Sequence, residues 1–471
     1  MEKIIRCALA LAILATLFAT NARAEDPIAD WNQIAETAVK AAGHAPPVSN
    51  TKACGGPSLP AEVVTRADAD QIVTFWNLTG INTILATPLG PRGAPLASRA
   101  MAMMNVAMAD AVFSIHPKYE PYAVRITGHR NANKSAAAAA AAYGVLVRLF
   151  PAQQTALDAA LAQSLAQVED GRAKDQAVAL GDEVAAQIVA LRSNDRSDAV
   201  MVYTPPVGLG FWQPDPRTGP SPFLSWAFVT PWTMANSAQF RPEPPPNIFS
   251  RVFAEDLAEL KAIGGTTSAV RTLQQECIAR FATDNPVVQY HRLARVVATV
   301  VPSDLEHNAR AFALFSVALA DAFVSSFEAK FTYHFWRPWT AIQNAGAIGL
   351  PDLQDSTWLS LIPTPPHPEY PANHGVQSAA VVTVLKHMYG ADLPAVTLTC
   401  QGVGCRADIC PATFTSGHLE DFKELFGVAR IYGGIHYRHT IEVSWAQGDT
   451  IAFNAINNFY RLREDEVDNE Q

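Results

Sequence analysis

Three short stretches in the last third of the chain carry the side chains that a tetrahedral oxyanion needs. They are Lys330 with Arg337-Pro338 in KFTYHFWRP, His374 in PEYPANHG, and Arg430 with His436 in ARIYGGIHYRH. A guanidinium forks onto two oxygens, a lysine adds a mobile point charge, and a histidine bonds a central atom or moves a proton. Lys330 and Arg337 are seven positions apart, two helical turns, so the spacing predicts that both leave one helical face. Pro338 marks a helix boundary or a kink. Gly433-Gly434, between Arg430 and His436, lets backbone approach a ligand or bend the chain. Pro371 and Gly375 bracket His374 and suggest a tight turn with amides aimed at an anion. Alone, a charged pair reads as a solvated face and a lone histidine as a structural hydrogen-bonder. The three stretches together, in order and within one helical region, outweigh that bland reading.

The elements that must position these groups read as helices. Ala- and Leu-rich amphipathic stretches recur at about 29–43, 66–86, 96–115, 134–150, 152–168, 174–195, 252–263, 266–281, 286–301, 305–331, 373–389, 418–431 and 441–462. Few segments alternate with period two, and no short internal repeat stands out. Residues 203–250 differ, being rich in Pro, Gly and aromatics. Trp212, Phe223, Trp226 and Trp232 are too apolar for a free linker, so this stretch is expected to wrap over the helical body near the site mouth. The expected organisation is an N-terminal helical bundle over 25–202, the connection 203–250, and a C-terminal bundle over 251–471 carrying the site. The methionines Met101, Met103, Met104 and Met108 read as core packing, since thioethers fill irregular gaps between helices. Asp110 and His116 read as polar core partners, and His291 and His307 as local hydrogen-bonders.

The first 24 residues read as a secretory signal. Lys3 and Arg6 precede an apolar run from Cys7 to Thr20, and Ala22-Arg23-Ala24 is a small-x-small cleavage site. That places the mature protein in the periplasm or outside the cell. No other apolar stretch reads as long enough to span a bilayer, so no integral membrane span is expected. Losing Lys3, Arg6 and Arg23 against Glu2 takes the formal charge from −9 to −11, which argues against a nucleic-acid partner. Cys54, Cys277, Cys400, Cys405 and Cys410 remain, an odd number without a zinc knuckle. A local disulfide within TCQGVGCRADIC is expected, with at least one thiol left over. The oligomeric state stays open.

The order of the three stretches resembles a known superfamily. Vanadium-dependent haloperoxidases, type-2 phosphatidic acid phosphatases and bacterial acid phosphatases share K-x6-RP, then P-S-G-H, then S-R-x5-H. Trp336, the PPHPEYP run and RIYGGIHYR are similar to the secreted bacterial haloperoxidase branch, and so is ASRAMAMMNVAMADAVFSIHPKYEPY at 98–122. The resemblance implies an all-α fold of two packed helical bundles and a vanadate cofactor. It implies that His436 bonds vanadium and that Lys330, Arg337 and Arg430 neutralise its oxygens, with the Asn373 N–H as a further donor. His374 is then the acid–base, and Lys330 polarises bound peroxide for oxygen transfer to a halide. In the family the position of His367 is often Phe in chloride-oxidising members and His in bromide-oxidising ones, so His367 implies bromide and iodide.

Three readings stay open. One is a haloperoxidase with hydrogen peroxide and halide as partners. Another is an acid phosphatase that needs no vanadate and forms a phosphohistidine at His436 from a small phosphoester. The last is a non-catalytic oxyanion-binding relic, motivated by three departures: Ala372 for the motif serine, Asn373 for the glycine and Ala429 for the second serine. Restoring one charge-assisted hydrogen bond is worth roughly 1.5 kcal/mol or more. Ala372→Ser is therefore expected to tighten vanadate binding about tenfold, alone or with Asn373→Gly, as measured by titration of the purified protein. Unchanged affinity in both variants would mean that the missing hydroxyl is compensated.

Overall fold

The computed structural model describes residues 71–89, 93–401, 404–406 and 408–463. The expected signal, the expected helix at 29–43, the start of the one at 66–86, and Cys54 lie outside the described residues. Among the described residues there are α1 (Ile72–Leu85), α2 (Gly93–Ile115), α3 (Lys134–Leu149), α4 (Gln154–Leu165), α5 (Arg172–Leu191), α6 (Arg251–Ile263) and α7 (Leu273–Phe281). They continue with α8 (Pro286–Val300), α9 (Leu305–Tyr333), α10 (Pro338–Gln343), α11 (Asn373–Tyr389), α12 (Leu419–Tyr432) and α13 (Arg438–Asn458). The fold is mostly helical, as expected, and several helices start at capping side chains. Asn133 caps α3 by accepting from the Ala136 N–H, Asp304 caps α9, and Thr272 with Gln275 forms a capping box on α7. That box starts α7 later than the expected 266.

Helix α9 is the central strut, packed against α2 on one side and α11 on the other. By length and composition it could cross a bilayer, contrary to the sequence expectation, but its apolar stretch is wholly buried inside the fold. The methionines of α2 are core, as expected, with Met101, Met103, Met104 and Met108 all inaccessible.

The sequence shows no short repeat at first reading, but the packing brings two similar runs together. Val106–Ala111 of α2 reads VAMADA and Val317–Ala322 of α9 reads VALADA. Immediately before these runs, Asn105 Nδ2 donates to Ser316 Oγ at 2.8 Å, so equivalent positions meet where the two helices touch. The matching aspartates both pin loops. Asp110 accepts the backbone N–H groups of Tyr122, Ala123 and Val124 and the hydroxyl of Tyr460. Asp321 accepts the N–H groups of Trp232 and Thr233 and the Thr233 hydroxyl. The pairs α3/α5 and α11/α13 repeat one close approach. A Cβ on Gly181 would meet Ala137 O, Ala140 Cβ and Ala141 N, and one on Gly448 would meet Val376 O, Ala379 Cβ and Ala380 N.

Other polar residues differ in detail from what the sequence suggests. His291 bonds Asn77 on a distant helix at 2.8 Å rather than locally, and His116 is exposed and pairs with Glu306. The connection 203–250 wraps over the body as expected, with Trp212, Trp226 and Trp232 buried.

One feature of the fold is not helical. Asp392–Thr399 and Thr413–His418 form an antiparallel hairpin, β1 and β2, with Val396 opposite Ser416 and Leu398 opposite Phe414. Only Val396 and Leu398 of β1 are buried, an alternation too short to register as a period. The expected local disulfide is Cys400–Cys405, and a second bond, Cys277–Cys410, ties the loop after β1 to α7.

Asp321→Ala would strand two backbone N–H groups that the carboxylate now satisfies. At about 1–3 kcal/mol for each unsatisfied buried donor, we expect a loss of roughly 3 kcal/mol in urea unfolding followed by tryptophan fluorescence. A change within a few tenths of a kcal/mol would show that the loop holds itself.

Candidate active site

The end of α9 decides how the cations meet. His334 adopts the left-handed conformation (φ 55°), its N–H bonds the Lys330 carbonyl, and the helix stops. Lys330 therefore lies on α9 while Arg337 is the N-cap of α10, so the two do not share a helical face as the spacing suggested. The chain reversal still buries both in one layer. Lys330 Nζ donates to Pro368 O (2.9 Å), Glu369 O (2.8 Å) and Pro371 O, which uses all three of its protons. It is a fixed clamp rather than a mobile charge. Burial, then the Arg337 charge, hold its pKa well below the ordinary lysine value. Arg337 donates to the Ile435 carbonyl (2.8 Å), His436 Nε2 (3.0 Å), His367 Nδ1 (3.0 Å) and the His367 carbonyl.

Glu369 is the site residue that the sequence reading missed. It is fully buried, and its Oε1 accepts from His436 Nδ1 at 2.8 Å and from the Tyr437 N–H. Its Oε2 accepts from the Thr440 hydroxyl at 3.0 Å. Burial pushes its carboxyl up to about 7, against the pull of Arg337 and Lys330. The only signal for it in the sequence is one acidic residue wedged between prolines in HPEYP. A guanidinium can only donate, so His436 Nε2 carries a lone pair and Nδ1 carries the proton given to Glu369. Burial and Arg337 keep the His436 pKa well below the usual histidine value, so the ring is neutral.

His374 sits in the first turn of α11 rather than in a tight turn. Ala372 is the N-cap, its own N–H bonds Ser444 Oγ at 2.8 Å, and no side chain caps the helix. The N-cap of α3, Asn133, does cap its helix; α11 leaves its first-turn amides for another acceptor. Arg430, in the last turn of α12, donates Nη1 to Ala282 O at 2.9 Å. Gly434 has φ +75° and lies so close to Gly264 that a Cβ would stand 2.1 Å from its carbonyl oxygen. Only glycine permits this return, which brings Ile435 and His436 onto Arg337.

Two adjoining cavities open here. The inner one, of about 170 Å³, is lined by His367, Asn373, His374, Gln377, Arg430 and His436, with Ala94, Pro95, Phe223, Phe323 and Phe327 among its apolar walls. An outer one of about 320 Å³, bounded by 282–286, Ile362 and Pro363, shares Ala94, Pro286, His374 and Arg430 with it. Lys330 and Arg337 stand behind the lining rather than in it. His367 is flanked edge-on by Phe223 and Phe327. Four buried polar atoms of the inner lining have no hydrogen-bond partner among the described residues: Asn373 Oδ1, His374 Nε2, Gln377 Oε1 and Arg430 Nε. An unpaired guanidinium N–H, an uncapped helix start and a lone-pair nitrogen suit a tetrahedral oxyanion such as vanadate or phosphate. His374 is held neutral by burial and by Arg430.

The comparisons with known proteins agree with this architecture. Residues 310–465 match the family model of the VCPO second helical-bundle domain. The chain is 28% identical over 403 residues to vanadium chloroperoxidase of Curvularia inaequalis, covering 67% of this chain and 65% of that protein. The crystal structure of a bacterial vanadium-dependent iodoperoxidase superposes with a TM-score of 0.68 at 24% identity, covering 84% of this chain and 98% of the other. A bacterial vanadium-dependent chloroperoxidase in its holo form gives 0.68 at 18% identity over the same shares. Residues 310–465 thus match the second helical-bundle domain of that family model, and the chain shows distant similarity to a vanadium haloperoxidase over two thirds of its length. The two solved structures carry the fold.

Glu369→Gln keeps the size of the side chain but removes the charge that faces His436. A charge-assisted hydrogen bond contributes roughly 1.5–3 kcal/mol, so vanadate affinity is expected to fall about tenfold or more, with the His436 tautomer shifted in ¹⁵N NMR. Wild-type affinity and an unshifted tautomer would remove Glu369 from the site.

Proposed function

We propose that this protein is a vanadate-dependent haloperoxidase that oxidises halide with hydrogen peroxide, bromide and iodide in preference to chloride, in the periplasm or outside the cell. The observation that carries the reading is His436. Its ring lines the inner cavity with Nε2 unprotonated and accepting from Arg337, the tautomer set by Glu369, and the unpaired Arg430 Nε belongs to the same lining. The relationship to the family supports it. Vanadate, when bound, activates peroxide for two-electron oxidation of halide without changing its own oxidation state.

The residues of the chain have separate tasks. His436 Nε2, Arg430 and the α11 amides hold the oxyanion, Arg337 behind them orients the His436 and His367 rings, and Lys330 keeps segment 368–371 in place around them. His374, neutral and unpartnered at Nε2, takes a proton from incoming peroxide and gives it back. The Phe223, Phe323 and Phe327 wall limits water and suits a polarisable halide. His367 Nδ1 stands 3.0 Å from Arg337 Nη2 and 3.1 Å from the Pro368 carbonyl, and its ring gives the cavity a polar wall. Chloride is the hardest of the three halides to oxidise, so the polar His367 contact favours the softer ones. The two disulfides support an oxidising compartment.

Phosphoester hydrolysis is the second reading. The outer cavity has room for a leaving group, and His374 stands at its junction with the inner one. His436 would then attack phosphorus and His374 protonate the leaving oxygen. Reconstitution with vanadate separates the two. We expect peroxide-dependent bromination of a monochlorodimedone-type probe that requires vanadate. Phosphoester hydrolysis that vanadate inhibits, with no halogenation, would establish the second reading, and absence of both activities would leave an oxyanion-binding relic.

The two histidines are expected to separate by phenotype. His436→Ala should lose vanadate binding and activity together, whereas His374→Ala should bind vanadate and lose turnover. Unchanged vanadate affinity in His436→Ala would contradict the assignment. In the same assay His367→Phe should raise the chloride-to-bromide ratio, and an unaltered ratio would count against its role.

A further inference from the structure

The inner cavity holds acceptors among its donors. Asn373, at the first position of α11, is 8% exposed and its Oδ1 has no hydrogen-bond partner among the described residues. Gln377, one turn later on the same helix, is 1% exposed, and its Oε1 has none either. Both line the cavity with Arg430 and His436. Positions i and i+4 of a helix lie on one face, so the two amide groups share one edge. An oxyanion made only of bare oxygens would satisfy Arg430 Nε and the helix start, but it would set lone pairs against these two carbonyls. An oxyanion that keeps an O–H satisfies both sides of the cavity at once.

We propose that Asn373, with Gln377 beside it, selects the protonated form of a tetrahedral oxyanion over an anion of the same shape and charge that lacks a proton. This rests on reading the pocket as an oxyanion site and adds the protonation state that it recognises. Phosphate and vanadate keep at least one proton near neutral pH, whereas sulfate keeps none. At mildly alkaline pH hydrogen phosphate and sulfate are both tetrahedral dianions, so they differ chiefly in that O–H.

The test is calorimetric titration of the full chain with phosphate, sulfate and vanadate at mildly alkaline pH, with circular dichroism to verify folding of each variant. The wild type is expected to prefer phosphate to sulfate by about tenfold or more, the weight of one hydrogen bond involving a charged partner. Asn373→Gly should bring the two affinities toward each other, and Asn373→Gly/Gln377→Leu should make them equal. Asn373→Asp, a stronger acceptor in the same place, should widen the ratio. Equal affinities in the wild type would overturn the proposal, as would tighter binding of sulfate or a ratio that survives in the double variant. If none of the three anions binds, the oxyanion reading itself fails and this proposal with it. Binding without preference defeats the proposal alone.

Discussion

The Lys330 ammonium bonded to three carbonyls of segment 368–371 is the contact on which the site hangs. Three carbonyls converging on one buried point need a tetrahedral donor, and an ammonium on a flexible stem supplies it where a planar guanidinium does not. With that segment held, the Glu369 side chain reaches His436, the His367 carbonyl and ring meet Arg337, and the chain enters α11 with its amides toward the cavity. Lys330 can stand there because His334 ends α9 one turn later and the chain folds back through Arg337.

The buried charge of the pocket favours an anionic ligand. Lys330, Arg337 and Arg430 are all buried, with one buried carboxylate, Glu369, among them. Burial lowers the pKa values of Arg337 to about 9 and of Arg430 to about 10, a direction that reports how strongly the unbalanced positive charge is disfavoured. The three histidines of the cavity stay neutral for the same reason. An acidic protein thus makes a local positive site by burying its cations together rather than by displaying them.

Side-chain identity was legible in the sequence where several rare residue types had to occur in order. Lys330, Arg337, His374, Arg430 and His436 could be read off because no common structural need produces that series, and the long apolar periods of α8 and α9 were equally plain. Backbone direction was less legible. Nothing in FTYHF marks His334 as the left-handed stop, so Lys330 and Arg337 looked like neighbours on one helix. Glu369 was hidden because a single carboxylate between prolines reads as a turn, and its role arises only when Lys330 draws the segment inward. The VAMADA and VALADA runs stood in plain letters but far apart, and only the contact of Asn105 with Ser316 gives them a meaning.

The two N-caps carry a further consequence. Helices α3 and α11 pack in the same way, yet Asn133 caps the first and Ala372 leaves the second open. Replacing a capping Asn by Ala costs about 0.5–2 kcal/mol of helix stability, so α11 begins its first turn at a disadvantage that α3 does not share. An anion bound there is both ligand and cap, and its binding free energy is spent partly on stopping the helix from fraying. Amide hydrogens of the first turn of α11 then exchange with solvent quickly in the free protein and slowly in the liganded one, while those of α3 do not change. In this architecture one helix is left unfinished at its start, and a ligand bound there would complete the fold.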